Sequence, residues 1–388
     1  MKLDDILNLQ DFEKAARRIL PHSLFGFVQG SAEDGLSAAA NRQAFADVRF
    51  LPRVLIDTSA RSTAVELWGE SWSAPFGIAP MGAAGAMALD ADVVMARAAA
   101  TENIPFVLSG SSLTPMERVI RENSRAWFQL YPSAREADSM ALLQRARTAG
   151  FLTLVVTADV PVGGHREDDI RNGYGSPLRP SWKLASHFAA RPRWVARHLL
   201  PTLLRHGMPH FENFDSGRAP MISSSATRTH RRDNLDWSHL ERLRAAWPGR
   251  LVIKGLLSPD DVQRAFALGA QGVVLSNHGG RQLDGTMPPL AMLPSVQRTM
   301  PHQRVLCDGG VRRGNDVLKA VGLGADLTLV GRPFMYAAVV GGSEGVLHAI
   351  RLLREEISRS MALLGITVPA QAADRVHHSF PRFQHAEQ

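Results

Sequence analysis

LVIKGLLSPDDVQRAFALGAQGVVLSN, residues 251–277, is the stretch that decides the fold. Its two apolar runs, LVIKG at 251–255 and GVVLSN at 272–277, have the length and β-branched content of buried strands. Between them, Ser258-Pro259-Asp260-Asp261 opens a helix. The serine can cap it, the proline suits a first helical turn, and the acids face the positive helix end. Gly269 ends it. A strand, a helix and a strand in succession predict a parallel sheet.

The same alternation extends in both directions. Upstream, strands are expected at 76–80 (FGIAP), 106–110 (FVLSG), 127–131 (WFQLY) and 153–159 (TLVVTAD). Downstream they are expected at 304–309 (RVLCDG) and 327–332 (LTLVGR). With 251–255 and 272–277 this gives eight, the number that closes a (β/α)₈ TIM barrel. An open doubly wound sheet would more often carry G-x-G-x-x-G after its first strand. FGIAPMGAAGAM at 76–87 is glycine-rich without that spacing. Helical segments lie between most strands. Thr114-Pro115-Met116-Glu117 and Ser133 with Glu136 have capping-box form, and Gly150 closes the second helix. Ahead of the barrel, 3–20 reads as a helix stopped by Pro21, 32–47 as a second helix, and 65–68 as a short strand. The whole of 1–388 is read as one barrel domain with N-terminal helices and a long insertion after strand four.

That insertion is needed because roughly 90 residues separate strands four and five, too many for one helix. Residues 175–235 are therefore an excursion. The window 178–232 holds ten Arg/Lys against two acids, a charge of +8, so the remaining residues together carry −1 of the chain's +7. Within it, SWKLASHFAARPRWVARHLLPTLL mixes Trp, Phe and Leu with basic residues. One reading is a basic amphipathic segment on an anionic membrane surface. The other is a solvated lid, since Pro192 and Pro201 interrupt helical periodicity. No nucleic-acid motif accompanies the charge, so no nucleic-acid partner is expected.

Composition supports a large core: 388 residues, 45% hydrophobic. The single cysteine, Cys307, excludes an intrachain disulfide and suits a reducing compartment. No uninterrupted apolar stretch is long enough to span a bilayer, and the first twenty residues lack a signal core. The expected setting is cytoplasmic, at the inner face of the membrane if the basic segment meets lipid.

In a barrel, the C-terminal ends of the strands converge on one site. Those ends here carry Gln129 and Tyr131, Thr157 and Asp159, Lys254, Ser276 and His278, Asp308 to Arg312, and Gly331-Arg332, with Arg166 and Arg281 a few residues beyond. His278 can take a proton near neutral pH. Arg281 can grip a carboxylate by two hydrogen bonds. Together they suggest proton abstraction from a small acid. Gly309, Gly310 and Gly331 with Arg312 and Arg332 suit a phosphate. With Lys254 at the N1/O2 edge of a reduced isoalloxazine, and Gln129 and Thr157 on its pyrimidine side, the set suits flavin mononucleotide. No metal site is expected.

The motifs SNHGGRQLDG (276–285), WFQLY, LVIKG, DGGVRRG (308–314), GRP (331–333) and SAEDGLSAAANRQAF near the N-terminus resemble the FMN-dependent α-hydroxy-acid dehydrogenase/oxidase family. That family includes glycolate oxidase, L-lactate dehydrogenase and mandelate dehydrogenase types. The resemblance runs from about residue 3 to 370 and is weakest in the excursion. It implies oxidation of an (S)-2-hydroxy acid to a 2-oxo acid. It assigns His278 as base, Asp159 as its orienting partner, Arg281 and Arg166 to the substrate carboxylate, and Tyr131 to the substrate near the reacting carbon. It assigns FMN to Ala79, Pro80, Met81, Ser109, Gln129, Thr157, Lys254, Ser276, Asp308, Gly309, Gly310, Val311, Arg312, Gly331 and Arg332. It also implies a homo-oligomer, a tetramer. Electrons would pass to a membrane quinone; an O₂-using oxidase and a flavin-binding protein without turnover are the alternatives.

Three positions depart from the pattern. Phe25-Gly26-Phe27 replaces a Tyr-x-Tyr segment, so Phe27 lacks the hydroxyl that would bond the substrate carboxylate. One such bond to a charged group contributes about 1.5–3 kcal/mol, which predicts weaker binding of small hydroxy acids or a different substrate. Met81 stands where Thr is more usual. Ser111 is small where glycolate-type members carry bulk, and Gly82 stands where they carry Ala, resembling mandelate dehydrogenase types, which predicts a larger, aromatic or long-chain, acid.

Overall fold

The computed structural model describes residues 2–174, 178–213, 219–221 and 232–378. Eight parallel strands form the barrel: β1 (Phe76–Ile78), β2 (Val107–Ser109), β3 (Trp127–Leu130), β4 (Thr153–Thr157), β5 (Arg250–Leu256), β6 (Gly272–Leu275), β7 (Val305–Asp308) and β8 (Leu327–Val330). Each pairs with its sequence neighbour from β2 through β8, and β8 pairs back with β1. A parallel bridge between Ile78 and Phe106 closes the ring. The barrel expected from the sequence is the barrel found.

Alternation along each strand divides the side chains between two cores. Val107, Trp127, Val155, Val252, Val274, Leu306 and Leu329 point inward and fill the barrel. Their neighbours, such as Leu108, Phe128, Leu154 and Ile253, belong to the larger core packed under the helices. An antiparallel hairpin, 65–67 with 70–72, adds Leu67 and Trp72 to the interior cluster. Its turn residue Trp68 packs on Trp127 at 5.4 Å and donates its indole N–H to Gln271 O.

Ahead of the barrel lie helices α1 (Leu9–Ile19), α2 (His22–Gln29) and α3 (Leu36–Asp47). The single helix expected over 3–20 is divided. A short turn spans Leu3–Asp5, and Asn8 then caps α1 by accepting from Gln10 N and Asp11 N. Helix α2 was not anticipated; Pro21 precedes it and Gly26 lies inside it.

Two expected caps are corrected. Thr114 does not cap the helix Met116–Glu122; its hydroxyl turns to buried Asp92, and Asn213 of the excursion accepts from Met116 N at 3.0 Å. Ser133 accepts from Arg135 N and does not cap the helix Glu136–Ala149. Ser258 and Gly150 act as expected: Ser258 accepts from Asp260 N, and Gly150 is left-handed.

In the excursion, a helix spans Trp182–Ala189 and a second helical stretch runs from Pro192 to His206. Pro192 does interrupt, because it begins the second stretch. Pro201 does not. A π turn over Val195–Leu199 precedes it. We attribute the continuity to that wider turn, which leaves room for a ring that would clash with a regular α-helical carbonyl. Among the described residues no helix is long and apolar enough to cross a membrane.

Candidate active site

Strand register alone builds the polar layer of the site. One inward step past the last apolar layer, Val107 gives way to Ser109, Trp127 to Gln129, Val155 to Thr157, Val252 to Lys254, Val274 to Ser276, and Leu306 to Asp308. Thr157 and Lys254 are register partners on adjacent strands. All six polar residues are buried.

Lys254 is the hub of this layer. Its ammonium donates to Ser276 Oγ at 2.8 Å and stands 3.0 Å from Asp308 Oδ2. Burial alone would lower its pKa, but Asp308 and Asp159 outweigh that and raise it. It therefore stays a cation at the centre of the barrel mouth.

The loop after β6 carries the base. His278 has a left-handed backbone, φ 57°, which histidine tolerates better than branched residues. Its Nδ1 lies 3.1 Å from both Asp159 oxygens, and its Nε2 lies 3.4 Å from Tyr131 Oη. A carboxylate only accepts hydrogen bonds, so Nδ1 holds the proton and Nε2 presents a lone pair to the cavity. Burial lowers the His278 pKa, opposed by Asp159. Burial raises that of Asp159, but the charges of His278 and Lys254 reverse the shift and leave it low. A bulge at Gly255 brings Asp159 against β5. A Cβ on Gly255 would stand 2.6 Å from Asp159 Cβ.

Secondary contacts fix the loop. Asn277 and Asn41 exchange two hydrogen bonds of 2.8 Å. Gln282 donates to Asp159 O and Val162 O, and accepts from Gly164 N and Arg166. Arg281 donates to the carbonyls of Phe27 and Gly30 and lies 5.0 Å over the Phe27 ring. Arg166 donates to the backbone carbonyl of Arg281, and both side chains line the same cavity. Burial, then Arg166 and Arg332, push the Arg281 pKa down to about 9, still a cation at neutral pH.

Two cavities meet at this loop. The first is lined by Ala79, Pro80, Met81, Thr157, Lys254, Asp308 to Arg312, Gly331 and Arg332. Ser109, Gln129 and Ser276 stand behind that lining; Ser109 and Gly110 N donate to Gln129 Oε1. Three buried polar atoms near it, Gln129 Nε2, Thr157 Oγ1 and Asp308 Oδ1, have no partner among the described residues. Buried polar groups are normally paired, so these atoms are set to pair with a polar ligand in that cavity. Arg312 and Arg332 and the start of the helix Arg332–Leu364 give the far end a positive field. The donor set fits FMN: hydrogen-bonding groups for a ring edge, and glycines with arginines for a phosphate.

The second cavity, about 470 Å³, is lined by Ser111, Arg166, Asp169, Tyr174, Phe211, Met221 and Arg232 among others. Phe27, Gly82, Tyr131, His278 and Arg281 line both. The base thus stands on the wall between the two spaces. Asp169, Tyr174 and Arg232 were not singled out from the sequence. They lie in segments without strand periodicity, and only the return of the chain over the barrel brings them in. Arg232 faces the Tyr131 ring at 5.5 Å.

A family model described as FMN-dependent dehydrogenase matches residues 16–378. (S)-Mandelate dehydrogenase of Pseudomonas putida is 39% identical over 365 residues, covering 93% of this chain and 91% of its own length. L-lactate dehydrogenase of Alcaligenes faecalis is 36% identical over 379 residues, covering 93% and 96%. A solved structure described as the monotopic membrane protein (S)-mandelate dehydrogenase matches with a TM-score of 0.88 at 35% identity, over 97% of this chain and 100% of that one.

Proposed function

The chain belongs to the FMN-dependent dehydrogenase family and oxidises a 2-hydroxy acid, and on that premise we propose that its substrate is an (S)-2-hydroxy acid bulkier than glycolate, of the mandelate kind. The observation that carries the reading is His278 on the wall shared by the two cavities, between Asp159 and two arginines. FMN, when bound, accepts the two electrons that leave the substrate. His278 Nε2 takes the proton, from the α-carbon or from the hydroxyl. Asp159 holds the imidazole in the right tautomer and stabilises its charged form. Tyr131 Oη, beside Nε2, orients the substrate oxygen. Arg281 and Arg166 hold the carboxylate. Lys254, Gln129 and Thr157 would hold the FMN ring edge, and Gly309 to Arg312 with Gly331 and Arg332 its phosphate.

The size argument rests on Gly82 and Ser111. A Cβ on Gly82 would meet Ser111 Cβ at 3.2 Å, so both small residues keep that wall thin. Anaerobic stopped-flow reduction of the flavin across a panel of 2-hydroxy acids tests this. Aryl acids should reduce fastest; a clear preference for glycolate would sink the size argument.

We further propose that the acceptor is an apolar quinone reached from a membrane surface. A mainly apolar cavity of about 320 Å³ lies under the excursion, lined by Leu178, Leu184, Phe188, Trp194, Leu203 and Met221. Met221 also lines the substrate cavity. Outside it, Trp182 and Leu204 are 93% and 85% exposed, beside exposed Lys183, Arg193, Arg197 and Arg205. Apolar tips among basic side chains match an anionic lipid interface. Reoxidation of the reduced enzyme by a short-chain quinone should outrun reoxidation by O₂; the reverse order would point to an oxidase.

A further inference from the structure

Phe27 brings no hydroxyl to the proposed carboxylate subsite, and a second aromatic residue stands beside it. The Tyr174 ring lies 4.2 Å from the Phe27 ring, tilted by 31°. Arg281 lies over the same Phe27 ring at 5.0 Å. Tyr174 is 6% exposed and lines the substrate cavity with Tyr131, Arg166, His278 and Arg281. Its hydroxyl makes no hydrogen bond among the described residues. Its ring is buried against Phe27 while the residue lines the cavity, so the hydroxyl is available as a donor to an anion bound there. Burial raises its pKa, so at neutral pH it keeps its proton and can only offer a neutral O–H to an anion.

The backbone holds Tyr174 firmly at this place. Its N–H donates to Asp169 O at 2.8 Å, at the end of a short helix over Glu167–Arg171. The turn presses on α2 at Gly26. A Cβ there would stand 2.5 Å from Asn172 Nδ2. The segment Phe25-Gly26-Phe27 thus does two things together. Gly26 admits the turn, and Phe27 supplies a flat face for the ring that the turn carries.

We propose that Tyr174 is the hydroxyl donor to the substrate carboxylate in this enzyme, acting beside Arg281 in place of the side chain at position 27. The assignment rests on the 2-hydroxy-acid reading of the same site. It replaces the expectation that Phe27 weakens binding: the hydrogen bond is moved to another element, not lost. It also makes the excursion side of the chain a part of substrate recognition.

The test uses the FMN-loaded full-length enzyme and a four-member set: wild type, Tyr174→Phe, Phe27→Tyr, and the double variant. Two readings are taken, the Kd of the unreactive 2-oxo acid product from the flavin difference spectrum, and KM and kcat for anaerobic flavin reduction. Tyr174→Phe should raise Kd and KM about tenfold or more, with kcat within about threefold. Phe27→Tyr alone adds a donor and should not raise Kd or KM, and the double variant should recover to within about threefold of wild type. A merely structural role for Tyr174 would not be rescued from position 27. Tyr174→Phe leaving both constants within about twofold, or a fully FMN-loaded double variant showing no recovery, would overturn the proposal. If no 2-hydroxy acid bleaches even the wild-type flavin, the functional reading fails first; if wild type bleaches and Tyr174→Phe is unchanged, the proposal alone fails.

Discussion

At the exits of β4 to β7 polar side chains pair across strands, Lys254 with Asp308 and Ser276, His278 with Asp159, and leave Thr157 Oγ1 and Asp308 Oδ1 for a ligand. The helical excursion over 182–206 is built differently. It packs on the barrel through Leu184 and Trp194, while Trp182, Leu200 and Leu204 stay exposed. Strand register assembles the polar layer of the first region, and a short hydrogen-bonded loop adds the base. The second leaves its outer face uncovered among the described residues. On the proposed reading one region transforms the substrate and the other docks on a lipid surface, so mutations should separate them.

The largest expected effect falls on the strand exits. His278→Ala should slow flavin reduction by about 10²–10⁴-fold, the usual worth of a positioned general base, with FMN retained; rapid-mixing absorbance and the FMN-to-protein ratio check this. A variant that reduces at the wild-type rate would remove His278 from the proposed mechanism. The pH profile of kcat/KM sharpens the assignment. Burial lowers the His278 pKa, so the acid limb should lie below the ordinary histidine value. Asp159→Asn should move it lower still, because Asp159 opposes that shift.

The next effect falls on the excursion. Each basic side chain near an anionic surface contributes about 1 kcal/mol. Replacing Lys183, Arg193, Arg197 and Arg205 by Gln should weaken binding to phosphatidylserine-containing vesicles by about 10²–10³-fold, measured by co-sedimentation. Turnover with a soluble dye should stay at the wild-type level. Equal loss of dye turnover would mean that the two regions are not separable.

The smallest effect lies where the regions meet. Burial raises the Asp169 pKa to about 6, opposed by Arg281 and Arg166. If Arg281 and Arg166 hold the substrate carboxylate as proposed, the Asp169 carboxylate would compete with it above that pH, and protonation below it would remove the competition. KM should therefore rise by about two- to fivefold as pH passes through 6, a modest size in keeping with partial screening. Asp169→Asn should flatten the dependence in steady-state assays from pH 5 to 8.

The barrel was legible because strands buried on both faces read as nearly continuous apolar runs, and all eight do. The polar layer was legible for the same reason: each polar residue interrupts such a run at a strand end. Local signals served less well where distant chain competes. Thr114 has the form of a helix cap, yet Asp92 takes its hydroxyl and Asn213, far along the sequence, accepts from Met116 N in its place. Helix α2 was hidden by Gly26, a poor helix residue that the structure uses for close contact with Asn172. Tyr174 and Asp169 carry no periodic signal, since their position depends on the chain folding back over α2.

Asn213 does more than cap. It accepts from Met116 N and donates to Thr114 O at 2.8 Å, while Glu212 N donates to Ser112 O. Further up, Trp194 Nε1 donates to Met87 O at 2.8 Å. The excursion is therefore riveted to the barrel rim at two stations and is not a loose tether. A rigid keel of this kind fixes orientation as well as attachment. If Trp182 and Leu204 enter lipid as proposed, the cavity mouth would have one height and one tilt above the bilayer, and the water-borne acid and the proposed lipid-borne acceptor would arrive from different sides.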